Sequence, residues 1–125
     1  MTTLTETVHA AEHIVSEANG DLSREKITLK SGQKYGAATV LAKFTSGGDT
    51  GKYTKLTPAA SDGSQTACAT LYADVDATSA DTPGVAHVRD CEVNGDIIIF
   101  PSGISAPNKA TAITNLAAVG IIVRS

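Results

Sequence analysis

The sequence predicts a mainly β protein: a small barrel- or sandwich-like domain with one short C-terminal helix, preceded by a flexible N-terminal arm. Short apolar runs alternate with Gly-rich turns from Ser23 onward. A single stretch, after Pro107, carries apolar residues at helical spacing. The first 21 residues are polar and contain too few aliphatic side chains to bury a face.

Residues 1–21 are rich in Thr, Glu and Ala and end in Asn19-Gly20-Asp21, a turn signal. Val8, Ile14 and Val15 cannot offset the entropy of ordering this backbone, about 1–2 kcal/mol per residue. The segment is therefore expected to be a mobile arm until a partner holds it. Residues 22–125 are expected to form the β-rich domain.

Within that domain, Ile27-Thr28-Leu29 alternates with charged neighbours, and Ser31-Gly32 turns the chain. Thr39–Phe44 has the pattern of a half-buried strand. The Gly-dense stretch Ser46–Gly51 then leads to Lys52–Leu56, predicting a hairpin. After Pro58 and the Ser61–Ser64 loop, Thr66–Val75 predicts a longer, central strand of small and apolar residues.

Gly84–Cys91 and Asp96–Phe100 are expected to be strands joined by a two-residue turn at Asn94-Gly95. Ile97-Ile98-Ile99-Phe100 is expected to be buried on both faces. Pro107 suits the first turn of a helix, and Ala110, Ile113, Leu116 and Ala117 recur at its period. Gly120 can close that helix, and Ile121-Ile122-Val123 predicts a last short strand.

Hydrophobic residues make up 42% of the 125-residue chain, but only 4% are aromatic and Trp is absent. A large aromatic buries roughly 150–250 Å², so a core of Val, Ile, Leu and Ala is lean, and oligomerisation is one common remedy. A net charge of −3 with no basic run argues against direct nucleic-acid binding. The N-terminus has neither a signal-peptide pattern nor a membrane span, so the protein is expected to be made and used without crossing a membrane. Cys68 and Cys91 show no redox or metal spacing and are expected to be reduced, small hydrophobes.

His9-Ala10-Ala11-Glu12-His13 spells H-x-x-E-H, a zinc-binding spacing in which the Glu acts as base. A catalytic zinc needs a third protein ligand and a walled cavity; only His87 remains, so a solvated arm is the preferred reading over a metal-dependent enzyme. Gly47–Lys52 suggests a phosphate loop, yet Ser46 stands where the first glycine belongs and Tyr53 where a magnesium-binding hydroxyl would be. Asp74, Asp76, Asp81, Asp90 and Glu92 lack the ligand series of a calcium loop and are read as turn acids. His87 and Arg89 alternate on one face of an expected strand, which favours a surface or subunit-interface role. No nucleophile pairs with an orienting base, so no catalytic, metal or cofactor site is expected.

The blocks NGDLSREKITLKSGQ, GAATVLAKF, GKYTKLTPAASDGSQTACATLYADVDAT, HVRDCEVNG and LAAVGIIVR, in this order and spacing, resemble the lambda-type head decoration protein family of bacteriophages. Ser23-Arg24-Glu25 is similar to that family's turn before the first strand, and Gly51-Lys52-Tyr53 and Leu71-Tyr72-Ala73 are similar to its later blocks. The resemblance implies a β-clip fold and homotrimers at three-fold positions of the expanded shell, where they act as cement against packaged-DNA pressure. It also implies an arm that orders against the major capsid protein, on the outer surface of the virion, after synthesis in the host cytoplasm.

The arm's apolar residues, Val8, Ile14 and Val15, suit docking by addition of a strand to a capsid subunit. The chief alternative is a small β-barrel binding or carrier module without catalysis, which as a carrier would need an exposed lysine at a hairpin tip; Lys52 is the nearest candidate.

Overall fold

A computed structural model describes residues 10–17 and 22–124. Its centre is a closed five-stranded barrel built from β2 (Arg24–Leu29), β4 (Val40–Lys43), β5 (Tyr53–Lys55), β6 (Ala67–Leu71) and β8 (Thr82–His87), in the order β2-β5-β4-β6-β8. A three-stranded sheet of β1 (Ile14–Glu17), β9 (Cys91–Asn94) and β10 (Ile121–Arg124) lies beside it, with β9 in the middle. β3 (Lys34–Tyr35) and β7 (Val75–Asp76) form a short separate pair, and α1 (Ala106–Ala118) is the single helix among the described residues.

The Gly-dense segment between β4 and β5 makes the expected hairpin, antiparallel with Leu41 opposite Lys55. Gly47 and Gly51 take positive φ at its tip, where the absence of a Cβ removes the steric penalty. β4 is buried on both faces rather than one. Leu41 points into the barrel interior with Leu29, Leu71 and Ala86, while Val40 and Ala42 belong to a second apolar cluster with Val93, Leu116 and Ile121. A strand shared by two cores cannot show polar alternation, which is why its sequence pattern is so uniformly apolar.

Small residues allow this double packing. Gly84 on β8 leaves room for Leu29 and Val75, whose side chains would lie 3.1 Å from any added Cβ. The expected long strand Thr66–Val75 is divided into β6 and β7, with a register shift against β4 between Leu41 and Ala42.

Expectations fail in the C-terminal half, where the strand expected over Gly84–Cys91 ends at His87. Asp96–Phe100 is not a strand, and Ile97–Phe100 is not buried on both faces: Ile98 is buried, but Ile99 is 42% exposed. The Asn94 side-chain oxygen accepts from Asp96 N–H, and the Asn94 carbonyl accepts from Ile97 and Ile98 N–H, forming a compact turn instead of a hairpin. β9 instead pairs with β1 and, in parallel, with β10.

The helix begins as expected, with Pro107 in its first turn and Ser105 capping Asn108 N–H, and Gly120 beyond its end has φ 89°. Its buried residues are Ala112 and Leu116, whereas Ala110 and Ala117 face solvent. No helix among the described residues is long and apolar enough to cross a membrane.

Candidate functional site

The alternation that sends Ala69, Leu71 and Ala86 into the barrel sends their neighbours Thr70 and His87 outward. Register places Thr70 opposite His87, and His87 opposite Arg24, making a polar row across β6, β8 and β2. Left uncovered, such a row would be ordinary solvated surface. Here residues 10–17 lie over it, and Thr70, His87 and His13 have no exposed area.

The covering segment is positioned by its backbone. Ala11 takes φ 58°, donates its N–H to the Tyr72 carbonyl, and accepts from Ile14 N–H, closing a tight turn that directs His13 inward. The His13 carbonyl then accepts from Asn94 N–H as β1 joins β9. The region assigned to an arm from its sequence thus contributes a strand to the domain. Its few apolar side chains do not act alone, because β9 supplies the backbone partners and the second core supplies a seat for Ile14.

Two histidines occupy the centre of the covered region. His13 Nε2 shares a 3.1 Å hydrogen bond with the Thr70 hydroxyl, and His87 Nε2 lies 2.5 Å from Glu17 Oε2. The rings meet edge to face with centroids 6.0 Å apart. Arg24 closes the outer side, donating to both Glu17 carboxylate oxygens and lying 4.8 Å above the Tyr72 ring. Both histidine Nδ1 atoms are buried without a hydrogen-bond partner among the described residues.

Burial, reinforced by the neighbouring His87, holds the His13 pKa down to about 4. Burial also lowers that of His87, against the opposing pull of Glu17. The Arg24 hydrogen bond is the main reason the Glu17 carboxyl stays below its ordinary value. The assembly therefore contains neutral imidazoles beneath a carboxylate–guanidinium pair. Thr70 and His13 have the spacing of a hydroxyl and a base, but both are sealed from solvent.

Val8 and His9 lie outside the described residues. His13 is buried and Glu12 exposed, and no group of three or more His, Cys, Asp or Glu converges on a metal position among the described residues. Ile14 is half-buried against the second core, while Val15 is 56% exposed on β1, which among the described residues has only β9 beside it in the sheet. Of the surface or subunit-interface role expected of His87, the free-surface part is corrected by its burial beneath residues 10–17. Arg89 remains exposed, donating to the Leu22 carbonyl at 2.8 Å and lying 3.6 Å from Glu25.

Lys52 is not a free hairpin-tip amine. It contacts Asp81 at 2.6 Å and Asp49 at 3.2 Å, an arrangement opposed to the carrier reading. Asp74 accepts from Ala37 N–H and Asp76 from Thr78 N–H, so these acids brace loops. Cys68 and Cys91 are both free, and burial pushes each thiol up to about 11. A groove of about 620 Å³ opens beside Leu56, Ile99 and Phe100, and among the described residues Lys55 is the one ionisable side chain lining it.

Sequence inspection did not single out Glu17 or Thr70, and it met Arg24 only within the family-like Ser23-Arg24-Glu25 turn. No local motif ties these three residues to the histidines, because strand register is what brings them together. A family model described as bacteriophage lambda head decoration protein D matches residues 3–121. No curated protein matches the chain.

Proposed function

The chain belongs to the bacteriophage lambda head decoration protein D family, and from that premise we propose that it acts as a cement on the outside of the expanded head. It is a phage head decoration protein and a capsid component of the virion. In our reading it is made in the host cytoplasm, seats as homotrimers on the major capsid protein, and stabilises the shell against the pressure of packaged DNA without catalysing a reaction. The family match over nearly the whole chain is the observation that carries this reading.

The docking element is the N-terminal segment, with Val8 and the exposed Val15 as its apolar contacts and Ile14 as the anchor that holds β1 on the domain. Among the described residues β1 is an edge strand, so strand addition by a capsid subunit requires no rearrangement of β9. Leu22, 64% exposed, extends the apolar surface of this end of the chain. Arg89 belongs to the contact between subunits. The lean aromatic content and the exposed aliphatic residues favour burial of further surface in a trimer.

Trimeric binding makes the second and third contacts intramolecular, raising avidity by roughly 10²–10⁴ over a single contact. Preferential binding to the expanded shell then stabilises that state by mass action. Co-sedimentation with the cognate shells before and after expansion tests the proposal, using the full chain and a form lacking residues 1–9. Binding of the full chain to expanded shells alone, weakened by the truncation, is expected. Failure to bind either shell overturns it.

A further inference from the structure

We propose that His13 and His87 form an acid-sensitive clasp that holds the N-terminal strand on the barrel, so that protonation releases β1 while the barrel stays folded. The inference concerns the free chain and does not depend on how it contacts a capsid.

The argument begins with hydrogen-bond capacity. A neutral imidazole has one N–H and one bare nitrogen, whereas an imidazolium must donate from both. Among the described residues Nε2 of each ring has the partner, Thr70 Oγ1 for His13 and Glu17 Oε2 for His87. Each Nδ1 is buried and unpartnered among the described residues, so a proton there creates a buried N–H with no acceptor. Charging both rings also sets like charges 6.0 Å apart, centroid to centroid.

The surrounding charges make His13 the trigger. β1 presents Glu17 to His87, and β2 presents Arg24, which disfavours a positive His87. β6 and the residue after it offer the neutral Thr70 and Tyr72. On β9, Cys91 is a neutral thiol, and Asp90 before it lies against Gly120. His87 thus has a carboxylate to receive its charge, whereas His13 faces a hydroxyl.

Release is local because the two parts are held differently. Among the described residues β1 has one strand partner, β9, beside its contacts through Ile14 and the covered polar row, while every barrel strand is paired on both sides. Opening β1 solvates both imidazoles and removes the conflict; opening the barrel gains nothing further.

Hydrogen exchange followed by mass spectrometry on the full chain, from pH 7.5 to 4 and normalised for intrinsic exchange, tests the clasp. With His13 held down to about 4 in the closed state, protection of residues 14–17 is expected to fall roughly tenfold per pH unit below 6.5. Barrel amides in β4 and β6 are expected to keep theirs. His13→Gln, which retains an N–H near the Thr70 hydroxyl, is expected to flatten the dependence. A pH-independent profile in the wild-type chain, parallel loss in the barrel, or an unchanged slope in His13→Gln overturns the proposal. If that variant does not fold, NMR titration of wild-type His13 decides: a midpoint well below 6.5 supports the clasp, and one at or above 6.5 overturns it.

Discussion

Glu17 Oε1 and Arg24 Nη2 lie 2.6 Å apart, joining the N-terminal strand β1 to β2 of the barrel. The pair is partly exposed, with 33% of the Arg24 side chain and 23% of Glu17 accessible, so solvent screens much of its attraction. Its value lies in position, because it covers the buried histidines and aligns Arg24 over Tyr72.

Replacing Arg24 by Met is therefore expected to destabilise the chain by only about 1 kcal/mol, from the lost ion pair and cation–π contact together. Urea denaturation of Arg24→Met, Glu17→Gln and the double variant checks this. A coupling energy indistinguishable from zero would show that the two side chains act independently.

Asp81 makes a pH-dependent contribution at the other end of the molecule. Lys52, then the Ser31 N–H, holds its pKa down to about 2 from an ordinary value of 3.8. A depressed carboxylate stabilises the fold above its unfolded pKa, and that contribution is lost as pH falls through the folded value. Asp81→Asn should therefore lower the thermal midpoint at pH 5–7, and the difference from wild type should shrink between pH 4 and 2. A constant difference across that range would contradict the assignment.

Gly63 is expected to tolerate no side chain. Its φ is 103°, and an added Cβ would lie 2.5 Å from the Lys43 carbonyl oxygen and 2.6 Å from Thr45 N. Backbone strain together with this clash predicts that Gly63→Ala costs about 2–3 kcal/mol. Gly48→Ala is a suitable control, since an added Cβ there meets nothing within 4 Å and its φ is not positive. Equal denaturation midpoints for the two variants would show that the Ser61–Ser64 loop relaxes without cost.

Val15→Asp separates folding from docking. The side chain is exposed, so stability in urea should change by no more than about 0.5 kcal/mol. If β1 meets the capsid, binding to expanded shells should weaken because a carboxylate must be desolvated at the contact. Undiminished binding would move the docking surface away from β1.

The sequence was most legible where chemistry is local. The Gly-dense turn before Lys52 predicted the β4–β5 hairpin, and Pro107 with Gly120 marked the limits of α1, because these residues restrict backbone angles regardless of their surroundings. Asn94-Gly95 misled for a related reason. The same dipeptide serves several turns, and the Asn94 side chain closed on Asp96 rather than leading into a hairpin. The family resemblance, resting on ordered blocks along the domain, agreed with the match over residues 3–121.

The candidate site was scarcely legible at all. His13 was visible only as part of a metal-like spacing with His9, and His87 as a residue for the surface. Neither reading could foresee that the two rings meet across 74 positions of chain.

What the sequence by itself determined is the set of local choices: mainly strands, Gly-rich turns, one helix with Pro and Gly near its ends, and the family. What only the tertiary structure decided is the fate of the outward polar row of Arg24, His87 and Thr70. A strand's alternation assigns each side chain to a face, but whether that face meets water depends on what else packs there. Here residues 10–17 cover it, and a pattern that reads as surface becomes a buried pair of neutral histidines.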